Sequence, residues 1–234
     1  MGLADQIQEI SVQEGITYFA VGDLSKVKEA ILNQWGLDIK NFPFAISLGI
    51  SLNNYIVDQL PQRSEPSVAI SYKHHAYDVV NQRLDLAASV ISDFIQQQGY
   101  TVLPIPASKQ VDEDRMLGAF SHKMSAGLAG LGWIGKSSLL ITPEHGPRVR
   151  WATILTDAPL KPTEELMKNR CGDCTACVEI CPVKAITGKP FVEDEPREIR
   201  FDAKKCEEYL EKMKSERQLD VCGMCLYVCP HGRQ

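Results

Sequence analysis

No cysteine occurs before Cys171 and no segment offers about 18 consecutive apolar residues, so a disulfide framework running through the chain and a membrane-spanning helix are both excluded from the reading. The opening MGLADQIQEISVQEG has no basic start, apolar stretch or small-residue cleavage site, which argues against an export signal and for a cytoplasmic protein. Basic charge is also in short supply. Against 30 Asp and Glu there are 25 Lys and Arg, and the net charge of -5 gives no broad attraction to nucleic acid or anionic lipid. No long repeat is present. At 234 residues and 44% hydrophobic, the chain is expected to bury one substantial core with at most a small appendage.

What is present alternates between helical and extended periods, which predicts an α/β (α+β) core. Leu24, Val27, Ile31 and Trp35 share a helical face behind Asp23 as expected cap, with Gly36 as stop. FAISLGI (44–50) and VAISY (68–72) read as buried strands, separated by a loop containing Pro61 and Pro66. Val80, Leu84, Ala87, Ile91 and Ile95 predict a long helix ending near Gly99, followed by extended TVLPI (101–105). A further helix is expected within 119–131 and a strand at 149–157. From about Thr163 the texture changes to short polar segments, cysteine loops, prolines and an acidic cluster at Glu193, Asp194 and Glu195. Two units are therefore expected, 1–162 and 163–234.

All eight cysteines fall in the second unit. Cys171, Cys174, Cys177 and Cys181, followed by Pro182, form a CxxCxxCxxxCP run, in which three thiolates serve one cubane and the fourth reaches a neighbouring one. Cys206, Cys222, Cys225 and Cys229, followed by Pro230, supply the remaining ligands. The expected sets are Cys171, Cys174, Cys177 and Cys229 for one 4Fe-4S cluster, and Cys181, Cys206, Cys222 and Cys225 for the other. Cys206 is the unusual member, standing far ahead of Cys222 on a helical insertion. Two zinc sites of four cysteines each are the rival reading. Gly130, Gly132 and Gly135 in AGLGWIGKSS match neither the dinucleotide fingerprint nor a P-loop, leaving a structural turn or a ligand loop.

Taken together, GLGWIGKSSLLITPEHG, ILTDAPL, the first cysteine run and CGMCLYVCP resemble the epoxyqueuosine reductase and reductive dehalogenase superfamily, over roughly residues 65–234. The resemblance implies a nitroreductase-like core that binds cobalamin or a related corrinoid, with a ferredoxin-like module whose two clusters deliver electrons to cobalt. It places Gly130, Gly132, Trp133, Gly135 and Lys136 near the corrinoid. The family's acidic proton donor has no clear counterpart in QVDEDRMLGAFSHKM. Asp112 and Asp114 are nearby candidates, His122 and Lys123 are the preferred replacements, and Tyr72 is a further polar candidate. His74, His75, Arg148 and Arg150 are weaker ones, with surface or packing roles as their plain alternatives.

The sequence ends at Gln234 without the helical-repeat region that resembles a tRNA-binding appendage, so tRNA binding is not expected and a small-molecule substrate is. The implied partner is an external low-potential electron donor such as ferredoxin or flavodoxin, and a homodimer is compatible with the resemblance. The expected activity is corrinoid-dependent reduction; its alternative is iron-sulfur electron transfer without corrinoid turnover.

Overall fold

A computed structural model describes residues 2–163, 165–192, 195–216 and 219–232; Glu193 and Asp194 of the acidic cluster lie outside these. The elements in chain order are α1 (Leu3–Gln13), β1 (Tyr18–Asp23), α2 (Lys28–Trp35), β2 (Phe44–Ser51), α3 (Asn54–Asp58), α4 (Pro66–Lys73) and α5 (Val80–Gln97). They continue with β3 (Val102–Ile105), α6 (His122–Leu128), β4 (Trp133–Ile134), β5 (Leu140–Ile141), β6 (Val149–Thr156), α7 (Ala176–Glu179), α8 (Ala203–Ser215) and α9 (Met224–Tyr227).

Strands β2 and β6 read as unbroken apolar runs because helices cover both of their faces. They pair antiparallel, Ile46 opposite Ile154 and Ser47 opposite Thr153, at the centre of a sheet ordered β1-β2-β6-β3. On one face Ile46, Leu48, Ala152 and Ile154 meet Leu84, Ala87 and Ile91 of α5 and Ile7 of α1. On the other, Ala45, Leu155 and Ile105 meet Ile31 of α2 and Met124 of α6. This second face carries the polar pairs that fix α6, Ser47 Oγ to Ser125 Oγ at 2.5 Å and Thr153 Oγ1 to His122 Nδ1 at 2.9 Å.

Two expectations are corrected. VAISY is helical, forming the body of α4, with Pro66 in the first turn, where its missing N–H costs nothing. Ala69, Tyr72 and Ala76 are buried at helical spacing while Ile70 is 56% exposed, a pattern a short apolar run does not reveal by itself. Asp23 closes β1 and accepts a hydrogen bond from the Ser25 N–H at 2.8 Å, so it caps a turn and not α2, whose N-cap position is Val27. Gly36 does stop that helix, in the left-handed conformation at φ 68°. The 119–131 helix narrows to α6, with Ser121 accepting from the Met124 N–H at 3.3 Å.

The cysteine-bearing end packs onto the core. Val221, Met224 and Leu226 lie in the same apolar cluster as Leu60 and Tyr72, and Asp220 pairs with Lys73 of α4. No helix among the described residues is long and apolar enough to cross a membrane.

Candidate functional site

Short helices follow the cysteine loops and bring distant thiols together. Cys171 and Cys174 lie on the loop before α7, Cys177 is on α7, and Cys229 follows α9. These four line one cavity of about 30 Å³, together with Lys136 and His231. Its loop is tied down from the glycine-rich segment. Lys136 Nζ donates to the carbonyls of Gly172 at 2.7 Å and Cys174 at 3.1 Å, and Asn169 Nδ2 donates to the Ile134 carbonyl at 3.3 Å.

The other four thiols form a second group. Burial pushes Cys225 up to about 12, with Cys222, Cys206 and Cys181 adding to the rise and Cys177 after them. Burial likewise raises Cys206 to about 11, with contributions from Cys222 and Cys181. Cys229, also raised to about 11 by burial, feels Cys171, Cys177 and Cys174 instead. Cys181, Cys206, Cys222 and Cys225 thus influence one another, as do Cys171, Cys174, Cys177 and Cys229, with Cys177 and Cys225 at the junction. Among the described residues, no group of three or more His, Cys, Asp or Glu side chains is gathered so as to hold a metal ion. Four thiolates are the donor set of a 4Fe-4S cluster, and a four-cysteine zinc site would use the same set.

The glycine-rich segment is committed to packing. A Cβ on Gly132 would lie 2.2 Å from the Ile141 carbonyl oxygen, and one on Gly135 would lie 2.4 Å from Ile141 Cδ1 and 3.3 Å from Cys171 Sγ. Gly130, at φ 72°, abuts the Glu165 carbonyl and Thr163. Trp133 is 3% exposed, edge-on to His231 with ring centroids 5.0 Å apart. Gly135, Trp133 and Lys136 therefore support the seat of the first cysteine group. Ile134 and Ser138 of the same segment turn the other way, into the wall of a second cavity.

That second cavity, about 320 Å³, is lined by residues of the 105–124 segment and by Phe191, Arg197 and Arg200. Its size is at the lower end of small-molecule sites, roughly 300–1,000 Å³. Lys123 lies in its wall, donating from Nζ to the Ser138 carbonyl at 2.6 Å. Burial, with Arg197 and Arg200 nearby, lowers its ammonium to about 8, and Cys225 acts in the opposite sense. Ser138 Oγ, Arg197 Nε and Arg200 Nε are buried without partners among the described residues.

The candidate proton donors are divided by the fold. His122 and Lys123 line the cavity, but His122 Nε2 faces the Pro106 carbonyl at 3.0 Å and its Nδ1 faces Thr153. That carbonyl can only accept, so the ring donates from Nε2. Burial pushes His122 down to about 4, keeping it neutral. Asp112 is occupied with the Arg115 N–H at 2.9 Å and Asp114 is exposed; neither lines the cavity. Tyr72 is 3% exposed, edge-on to Tyr77 with centroids 6.0 Å apart, and it too is absent from the cavity wall. Its hydroxyl is raised chiefly by burial, and it feels Cys225 and Cys222. Arg148 is buried against Asn54 and Asp58, Arg150 is bound to Asn81 and stacked over Tyr77, and His75 accepts from the Asn53 N–H. His74 lies 3.5 Å from Asp78 on an exposed surface. Arg197, Arg200 and Ser138 were missed; the only signal was two arginines three apart in PREIRFD, a spacing that shares one face of a helical turn.

The His122 environment sets a pH dependence. The unfolded chain protonates this ring near 6.5 and the folded one near 4, so the unfolded state binds more protons between them and stability falls as pH drops through that window. The expected contribution is at most about 1.4 kcal/mol per pH unit. Unfolding midpoints measured from pH 7 to 5 should fall less steeply in His122→Asn than in the parent; equal slopes would contradict a neutral buried ring.

Residues 170–232 match the family model of a 4Fe-4S double cluster binding domain. The epoxyqueuosine reductase of Synechococcus sp. (strain RCC307) is 31% identical over 187 residues, covering 78% of this chain and 53% of that protein. The epoxyqueuosine reductase of Vibrio cholerae serotype O1 is 34% identical over 116 residues, 45% of this chain and 29% of its own. Among solved structures, epoxyqueuosine reductase from Streptococcus thermophilus superposes with a TM-score of 0.64 at 18% identity, covering 100% of this chain and 67% of that one. A catabolic reductive dehalogenase in complex with 3-bromo-4-hydroxybenzoic acid gives 0.73 at 18% identity, with 97% and 31% covered. The chain spans about half the length of the Synechococcus relative. The joined cysteine and glycine motifs and these likenesses agree: in sequence the chain is similar to the epoxyqueuosine reductases over 78% of its length, and it shares its fold with them and with a reductive dehalogenase.

Proposed function

We propose that this protein is a corrinoid-dependent reductase, with a nitroreductase-like core at 1–162 and a ferredoxin-like unit at 163–234. In this reading Cys171, Cys174, Cys177 and Cys229 hold one 4Fe-4S cluster, Cys181, Cys206, Cys222 and Cys225 hold the other, and an external low-potential donor reduces them. The observation that carries the proposal is the segment 134–138: Lys136 and Ser137 face the first cysteine cavity while Ile134 and Ser138 face the larger one. Electrons leaving the cluster would have one segment of chain to cross.

In this reading part of a corrinoid would enter the larger cavity. Its volume would admit the reacting face of the macrocycle or a small substrate, while the remainder stays outside. Val111, Met116, Leu117 and Phe191 offer apolar contact, and the unpartnered Ser138 Oγ offers a hydrogen bond to an amide side chain. Bound there, a corrinoid would supply reduction at cobalt, with the protein contributing orientation and electrostatics. Lys123 is the group placed to hold or release a proton at Nζ, because its ammonium, lowered to about 8, sits near neutrality in the cavity wall.

The test is anaerobic dialysis against cobalamin. Retention near one equivalent, with reoxidation of dithionite-reduced clusters on its addition, is expected. The second reading, electron transfer without corrinoid turnover, draws on the glycine-rich segment being used up in packing. Reversible cluster reduction with no cobalamin retained would establish that reading instead.

A further inference from the structure

We infer that the larger cavity selects a small molecule carrying an oxyanion, a carboxylate in particular, on an otherwise apolar body. This rests on the reading of that cavity as the reduction site and names its substrate class. Lys109, Arg115, Lys123, Arg197 and Arg200 line it, and no Asp or Glu does so among the described residues. Two of these arginines pair with carboxylates that are not part of the lining. Glu198 Oε1 lies 3.2 Å from Arg197 Nη2, and Glu195 Oε2 lies 3.8 Å from Arg200 Nη1.

Lys123 has a different arrangement. Its Nζ donates to the Ser138 carbonyl, and no carboxylate lies within ion-pair distance of it among the described residues. A half-buried ammonium without a counter-ion carries a desolvation cost, which an incoming anion offsets. Arg200, 5% exposed, is held by the Val192 carbonyl at 3.0 Å and stacked over Phe191 at 4.7 Å, leaving Nε unpartnered among the described residues. Ser138 is 4% exposed and its Oγ is unpartnered in the same sense. The cavity thus has cationic side chains in its wall, and Trp35, Phe120 and Phe191 supply apolar surface for the body of the ligand. A neutral molecule of the same shape would gain only the apolar contact.

Isothermal titration of the anaerobic holoprotein with benzoate and with its neutral isostere benzamide separates the two contributions. Benzoate is expected to bind at least about tenfold tighter, the effect of one charge-assisted hydrogen bond. Lys123→Gln and Arg200→Gln should each weaken benzoate by about tenfold while leaving benzamide unchanged. Lys109→Gln, at an exposed position, should weaken it a few fold, keeping the test open if a buried variant fails to fold. Equal affinity for benzoate and benzamide would overturn the inference. So would benzoate binding only to protein free of cobalamin, which would assign the cations to the corrinoid's own phosphate. Absence of cobalamin uptake with benzoate selectivity intact would remove the corrinoid reading and leave the oxyanion site standing.

Discussion

Replacing Cys206 by alanine is expected to reduce the iron content from about eight atoms per chain to about four, since a 4Fe-4S cluster needs its four protein ligands. Cys206 is the most informative of the eight because it stands apart in sequence, on α8, and reaches its group only through the fold. Asp202 caps that helix, accepting from the Lys205 N–H at 3.0 Å, and so fixes the first turn on which Cys206 sits. The Cys206 thiol feels Cys222 and Cys181, not the Cys171 group. The surviving cluster should therefore be the one held by Cys171, Cys174, Cys177 and Cys229. Iron unchanged at about eight atoms would show that Cys206 is not a ligand, and the second set would need another member.

Gly132→Ala is expected to be among the most damaging single changes outside the cysteines. The added methyl would meet the Ile141 carbonyl oxygen at 2.2 Å and its carbon at 2.9 Å, both backbone atoms of the facing strand, where no rotamer change gives relief. β4 and β5 must separate, as Trp133 pairs with Ile141 across them. Overpacking of this kind costs about 3 kcal/mol, which for a chain of this size lowers the unfolding midpoint by roughly 10 °C. The displacement passes to Lys136, whose bonds to the Gly172 and Cys174 carbonyls hold the first cysteine loop, so iron loss should accompany the lowered midpoint. Thermal unfolding and iron analysis on the same sample check this. A variant with normal midpoint and iron but weakened cobalamin retention would show instead that Gly132 lies against the corrinoid.

Those two outcomes differ at the point where local sequence patterns stop carrying information. Cysteine spacing is set by the ligands' shared centre, so a grouping of the eight could be written down from spacing alone. Helix α5 and strands β2 and β6 were legible because their burial patterns repeat over eight residues or more. VAISY failed because a five-residue, mostly apolar run cannot distinguish a buried strand from α4, and only the position of Pro66 tilts the balance. The GLGWIGKSS glycines were visible as close-approach positions, but whether they approach a ligand or the chain's own backbone depends on β5, which sequence does not place. Arg197 and Arg200 join Lys123 only through tertiary packing; no local pattern links residue 123 to a turn at 197–199. Asp112 and Asp114 looked suitable by proximity in sequence, yet the loop spends Asp112 on its own backbone at Arg115.

The proposed reductase depends on two four-iron clusters, one on each group of four cysteines. Anaerobically prepared protein, reduced with dithionite, should be measured by iron analysis and electron paramagnetic resonance on one sample. About eight irons, with roughly two spins per chain broadened by mutual interaction, is the expected result. Stoichiometric zinc, or a single isolated spin with about four irons, would contradict it.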